Sequence, residues 1–283
     1  MKITHIINPV KVPESSDLFV AQPVTFESMS RAKQFAGKEI EVNLVTTQYP
    51  EDHVVIPFFF SKTMDLDRSV LDFGNFQKQR KLPLLKDILD RGFSFDPTAD
   101  YLIYTNVDIA VQPHFYSFIN QKIEEGHDSF IINRRTISRH YSIRTLSEAY
   151  ADYGEPHPGY DCFVFKRELY SNFDLGNICI GAASVGLALY LNLKLYSRSF
   201  QEINGLHLSF HIGNDQVWKN KSNSEFEKFN KLEFDLLKNR LGNKNIDVGG
   251  ILSEAFPTLK KGEGALGKKF FKSFFKNGRS SYE

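Results

Sequence analysis

The stretch Tyr101-Leu-Ile-Tyr-Thr105 carries bulky side chains at consecutive rather than alternate positions, the mark of a strand covered on both faces. Such a strand needs helices above and below it, and the surrounding chain supplies them. Residues 2 to 7 and 40 to 46 read as β-strands, with helix-compatible spacing from Thr25 to Phe35 between them. From Asp72 to Arg91 the pattern is helical, with Leu82, Leu85, Ile88 and Leu89 on one face and Gly92 and Pro97 closing it. A helix from Pro113 to Glu125, strands from Ser129 to Asn133 and from Cys162 to Lys166, and an apolar helix after Asn177 continue the alternation. Residues 53 to 60 read as a third strand or an extended loop, since Pro57 counts against a central position, and residues 195 to 210 read as extended. This order predicts an α/β fold: a single domain with a mostly parallel central sheet flanked by helices. A chain of 283 residues fits one main domain with a C-terminal appendage.

Charge narrows the partners. Thirty-five basic residues against thirty-four acidic ones leave a formal charge of +1, so no general field favours nucleic acid and any anionic ligand must be held by a local site. Two cysteines, Cys162 and Cys179, are too few for a disulfide framework, which fits a reducing, cytoplasmic setting. The first residues lack the apolar stretch of a signal peptide. The uncharged run from Asn177 to Leu193 contains Ser184 and Asn192 and is shorter than the ~20 residues of a membrane span, so it reads as a buried helix. The expected organisation is a main domain over residues 1–218, a helical extension packed on it over 219–259 and a basic, Phe-rich tail over 260–283. Within the tail, residues 264–276 alternate paired lysines with Phe270, Phe271, Phe274 and Phe275. On a helix these rings form an apolar stripe flanked by cations, suited to lying on an anionic membrane surface or docking on the body.

Chemistry is concentrated where the apolar strand stops. In open parallel sheets ligands bind beyond the carboxyl ends of the strands, and Tyr101–Thr105 ends there in Asn106-Val-Asp108. The run from Asp100 to Tyr116 resembles the GT-A glycosyltransferases, in which a helix precedes a strand ending in a D-x-D motif. The resemblance implies that Asp108, with Asn106 at the first acidic position, holds Mn²⁺ or Mg²⁺ against the diphosphate of a nucleotide-sugar such as a UDP- or GDP-sugar. Asn106 departs from the pattern by bringing an amide without charge. The segment from His207 to Trp218 is similar to the late metal-binding histidine segment of some GT-A enzymes, which implies His211 as a metal ligand, with His207 beside it. On a strand their even spacing puts both on one face.

Between these lies Glu155-Pro-His-Pro-Gly159-Tyr-Asp161, which looks like the GT-A turn that faces donor and acceptor. It implies that Asp161 either binds the donor sugar or deprotonates the acceptor hydroxyl, with Gly159 in the binding turn and Glu155 and Asp152 as candidates for the same work. Arg134 follows an apolar strand, where a guanidinium reaches phosphate oxygens in bidentate fashion. Lys78 and Arg80, with Lys81, open the preceding helix, where GT-A relatives often contact the nucleotide. The expected activity is transfer of a sugar from a nucleotide-diphosphate donor to a saccharide or lipid-linked acceptor. A sugar nucleotidyltransferase would favour a Gly-rich loop after the first strand, which Asn8-Pro-Val-Lys-Val-Pro-Glu lacks. A non-catalytic carbohydrate-binding protein of the same fold is the reading that Asn106 supports.

Overall fold

The computed structural model describes residues 1–157, 159–213 and 224–255. Its centre is a seven-stranded sheet. In chain order the strands are β1 (Lys2–Ile7), β2 (Glu41–Thr46), β3 (Ser61–Lys62), β4 (Tyr101–Thr105), β5 (Ala110–Val111), β6 (Ser129–Ile132), β7 (Arg135–Ile137), β8 (Glu155–Pro156), β9 (Cys162–Lys166), β10 (Phe200–Ile203) and β11 (Ser209–Ile212). The large sheet has the order β10-β6-β9-β4-β1-β2-β3, and all its pairings are parallel except those of β9, which runs against both β4 and β6. A smaller sheet, β5-β11-β7-β8, is built from the chain that leaves β4 and β6.

Helices α1 (Leu18–Ala36), α2 (Leu85–Phe95), α3 (Phe115–Glu124), α4 (Leu146–Ala151), α5 (Val185–Tyr196), α6 (Ser224–Gly242) and α7 (Val248–Glu254) surround the sheets. Strand side chains alternate between the two faces, and the core divides accordingly. Ile3, Ile7, Ile103 and Ile132 pack with Phe26 and Met29 of α1 and Phe115 and Ile119 of α3. Ile6, Leu102, Tyr104 and Ile131 pack with Ile88 of α2, Leu191 of α5, Leu237 of α6 and Leu252 of α7. The mostly parallel α/β sheet flanked by helices is therefore as the sequence predicts.

Several boundaries differ. Helix α2 begins at Leu85 rather than near Asp72, because Pro83 forces the residue before it out of the helical region. It then runs through Gly92 to Phe95, since Gly92 packs directly on Ile6. Helix α1 starts seven residues before Thr25 and contains Pro23. Residues 53–60 form no strand; Pro50–Val55 is a 3₁₀ turn, and the edge strand β3 follows it. The apolar helix after Asn177 begins only at Val185, and its Leu187 to Leu193 are buried. No helix among the described residues is long and apolar enough to cross a membrane. The tail segment 264–276 lies outside the described residues.

Candidate functional site

Four chain segments meet beyond the carboxyl ends of β4 and β6, the last of them β11 with His211. The chain leaves β4 through a turn in which Ile109 N–H donates to Asn106 O at 3.2 Å, which places Asn106 and Asp108 at the sheet rim. Arg134 lies in the two-residue step between β6 and β7. Because β9 is reversed, its start rather than its end lies at this mouth, and Asp161 immediately precedes it.

Asp161 is the hub. Its Oδ2 lies 2.8 Å from Arg134 Nε and 3.5 Å from His157 Nδ1, and its Oδ1 accepts from Asn106 Nδ2 at 3.4 Å. Tyr104 Oη in turn donates to Asn106 Oδ1 at 3.3 Å, fixing the amide orientation. Burial by itself would raise the Asp161 carboxyl. The Arg134 charge outweighs it and holds Asp161 well below the usual carboxylate range. Arg134 Nη1 is shielded from solvent and finds no acceptor among the described residues, so a donor remains for an anion.

Asp108 forms the second half. Its Oδ2 lies 3.2 Å from His211 Nε2, and His211 Nδ1 donates to the Gly213 carbonyl at 2.7 Å. That carbonyl fixes the proton on Nδ1. The Nε2 lone pair and the carboxylate oxygen then repel each other unless a proton or a cation stands between them. Burial would raise Asp108, yet the hydrogen bond and charge of His211 and the charge of Arg134 hold it below its ordinary value, against the push of Asp161. Its Oδ1 is shielded from solvent and has no donor among the described residues.

These observations fit a divalent cation. A carboxylate with one idle oxygen faces an imidazole whose far nitrogen is locked by a backbone carbonyl, which is the outer-shell arrangement of a metal-ligating histidine. Among the described residues no third histidine, cysteine or carboxylate joins the pair as a metal cluster, so phosphate and water oxygens would complete the coordination.

The structure thus brings together Asn106, Asp108, Arg134, Asp161 and His211. It adds His157, which sequence reasoning passed over although a histidine between two prolines, four residues before an aspartate, was the available signal. Gly159 belongs to the same turn, its N–H donating to His157 Nδ1 at 3.0 Å. The remaining candidates lie elsewhere. His207 precedes β11 rather than sharing its face with His211, and it contacts Gln112 and the Tyr153 ring. Glu155 is exposed on β8; it pairs with Thr136, and Thr136 with His211, so the three share one face of the small sheet with Glu155 two strands away. Asp152 accepts from Gly154 N at 3.0 Å. Lys78 and Arg80 are exposed on the segment before α2, where the Lys78 N–H binds Glu225 of α6 and the Arg80 charge acts on Cys179.

No protein-family model and no curated protein matches the chain. Solved structures of nucleotide-diphospho-sugar transferases of the GT-A type are similar to it. Staphylococcus aureus TarS 1–349 in complex with UDP-GlcNAc is 10% identical, with a TM-score of 0.47 over 82% of this chain and 66% of that one. A Drosophila galactosyltransferase in complex with manganese, UDP-Gal and xylobiose is 11% identical, with a TM-score of 0.44 over 77% and 74%. A Bacillus anthracis protein described as a glucose-1-phosphate thymidylyltransferase gives 11% and 0.44 over 80% and 95%. The chain spans just under two thirds of the TarS fragment.

Proposed function

We propose that this protein transfers a sugar from a nucleotide-diphosphate donor to a saccharide or lipid-linked acceptor, with a divalent cation assisting. The observation that carries the reading is the convergence of Asp108, His211, Arg134 and Asp161 at one mouth of the sheet, with ligand and donor atoms that have no partner among the described residues. Asp108 and His211 would hold Mn²⁺ or Mg²⁺. The cation, when bound, neutralises charge on the departing diphosphate. Arg134 binds phosphate oxygens through its idle guanidinium nitrogen. Asp161 is ion-paired to Arg134 and hydrogen-bonded by Asn106, so of its two candidate roles we assign hydrogen bonding to the donor sugar, with those two residues fixing its position. The chemistry then rests on positioning and charge, which is sufficient for glycosyl transfer.

Titration of the full-length protein with UDP and with GDP, each with and without Mn²⁺, tests this. One nucleotide should bind more tightly with metal, and Asp108→Ala should lose that gain while its thermal unfolding stays cooperative. Absence of binding to either nucleotide, or an unaltered metal effect in Asp108→Ala, would remove the proposal. A hydrolysis screen across nucleotide-sugars then identifies the donor.

A further inference from the structure

The small sheet has a second working face. Arg135 pairs with Phe210 and Pro156 on the side opposite the Glu155–Thr136–His211 row. It is 6% exposed, and its Nη2 donates to the Gly154 carbonyl at 2.7 Å while Nε donates to that of Tyr153. Its guanidinium carbon lies 3.6 Å from the centroid of the Tyr153 ring. The same ring is held at its far end, where Tyr153 Oη donates to the Gly205 carbonyl at 2.8 Å, and the His207 ring meets it edge to face at 5.9 Å. Yet Tyr153 is 58% exposed. With Arg135 against one ring face and its hydroxyl tied, Tyr153 is a held aromatic side chain that still presents much of its surface to solvent.

We propose that Tyr153 is a stacking platform for a sugar residue of the saccharide acceptor, at a subsite removed from the reacting centre. A pyranose presents an apolar C–H face that covers an aromatic ring, while its rim of hydroxyls needs hydrogen-bond partners. The segment that ties the ring adds Leu206, 43% exposed and next in sequence to Gly205. Preorganisation favours such a ligand, because the ring loses little freedom when the sugar arrives. The position also suits an extended acceptor. Arg135 holds the ring and Arg134, one peptide earlier, holds Asp161, so the platform and the mouth are anchored on consecutive residues. The inference rests on the transferase reading for its choice of ligand.

The test compares the full-length protein with Tyr153→Ala and Tyr153→Phe. Cellohexaose, chitohexaose and maltohexaose are titrated calorimetrically, and hydrolysis of the nucleotide-sugar donor is measured alongside without acceptor. At least one hexasaccharide should bind the native protein. Tyr153→Ala should weaken it tenfold or more and Tyr153→Phe by less than fivefold, because Phe keeps the ring and loses only its tie to Gly205. Donor hydrolysis should stay within twofold in both variants. Binding of no hexasaccharide, or equal binding by Tyr153→Ala, overturns the platform while intact donor hydrolysis leaves the transferase reading standing. Hexasaccharide binding that depends on Tyr153 in a protein inert toward every donor supports the platform and removes the transferase reading instead.

Discussion

Arg134 and Asp161 have side chains only 13% and 14% exposed, so this ion pair stands in a different regime from the surface pairs of the helices. Removing one partner leaves the other charge enclosed and unpaired. Arg134→Ala should therefore lower stability by about 3–5 kcal/mol in urea unfolding, more than a surface arginine would cost. In the double variant Arg134→Ala/Asp161→Ala the loss should be smaller than the sum of the two single losses, as expected for groups in one network. At this scale the junctions at which strands end or begin were legible in the sequence, and Asp108, Arg134 and Asp161 lie at them. It was uninformative where position depends on a turn. His157 reaches Asp161 through a proline-bounded bend whose geometry has no periodicity to read. His207 was expected beside His211 from even spacing on a strand, but β11 begins only at Ser209 and the bend before it turns His207 toward Gln112.

Elements carry predictions of their own. His5, in the middle of β1, is fully enclosed between Tyr116 Oη and Thr105 Oγ1, each 2.9 Å from a ring nitrogen. Burial pushes its pKa from 6.5 down to about 3. The folded protein thus refuses a proton that the unfolded chain accepts below pH 6.5. Stability should be complete above that pH and should fall as the solution is acidified toward pH 3, by about 1.4 kcal/mol for each pH unit from this group. Urea unfolding at pH 7.5 and 5.5 in the native protein and in His5→Gln checks it, since the variant should lose most of the difference. Gly92 gives a second case. A Cβ there would lie 2.3 Å from Ile6 Cδ1, so Gly92→Ala should destabilise by on the order of 1 kcal/mol even though alanine favours helices, and thermal unfolding would report the sign. The same contact explains why the sequence pattern closed α2 too early: glycine was read as a stop and serves instead as a contact between helix and sheet. At α1 the helical spacing read from Thr25 began too late, and the helix carries Pro23 before it. There Gln22 spans from its own helix to the Val10 backbone, with Oε1 accepting from Val10 N and Nε2 donating to Val10 O, both at 2.8 Å, and so holds the opening turn in place.

For the molecule as a whole, the alternation of strands and helices made the layered fold legible, while the particular side chains that the last helices bury were not. Phe226, Phe234, Leu237, Leu241 and Leu252 of α6 and α7 are buried. At about 1.5–3 kcal/mol for each such side chain, their removal costs on the order of 10 kcal/mol, comparable with the whole stability of a domain. A chain ending at Gly213 should therefore fail to unfold cooperatively and should aggregate, as calorimetry and light scattering would show. The single reversed strand has a different consequence. Because β9 starts where β4 and β6 end, the chain that reaches it crosses the rim, and the first stretch of that crossing, residues 138–144, is mostly exposed. Insertions there would leave the register of the scaffold that carries Asp108 unshifted. That stretch is where descendants of this chain could vary most freely while the residues around Asp161 keep their places.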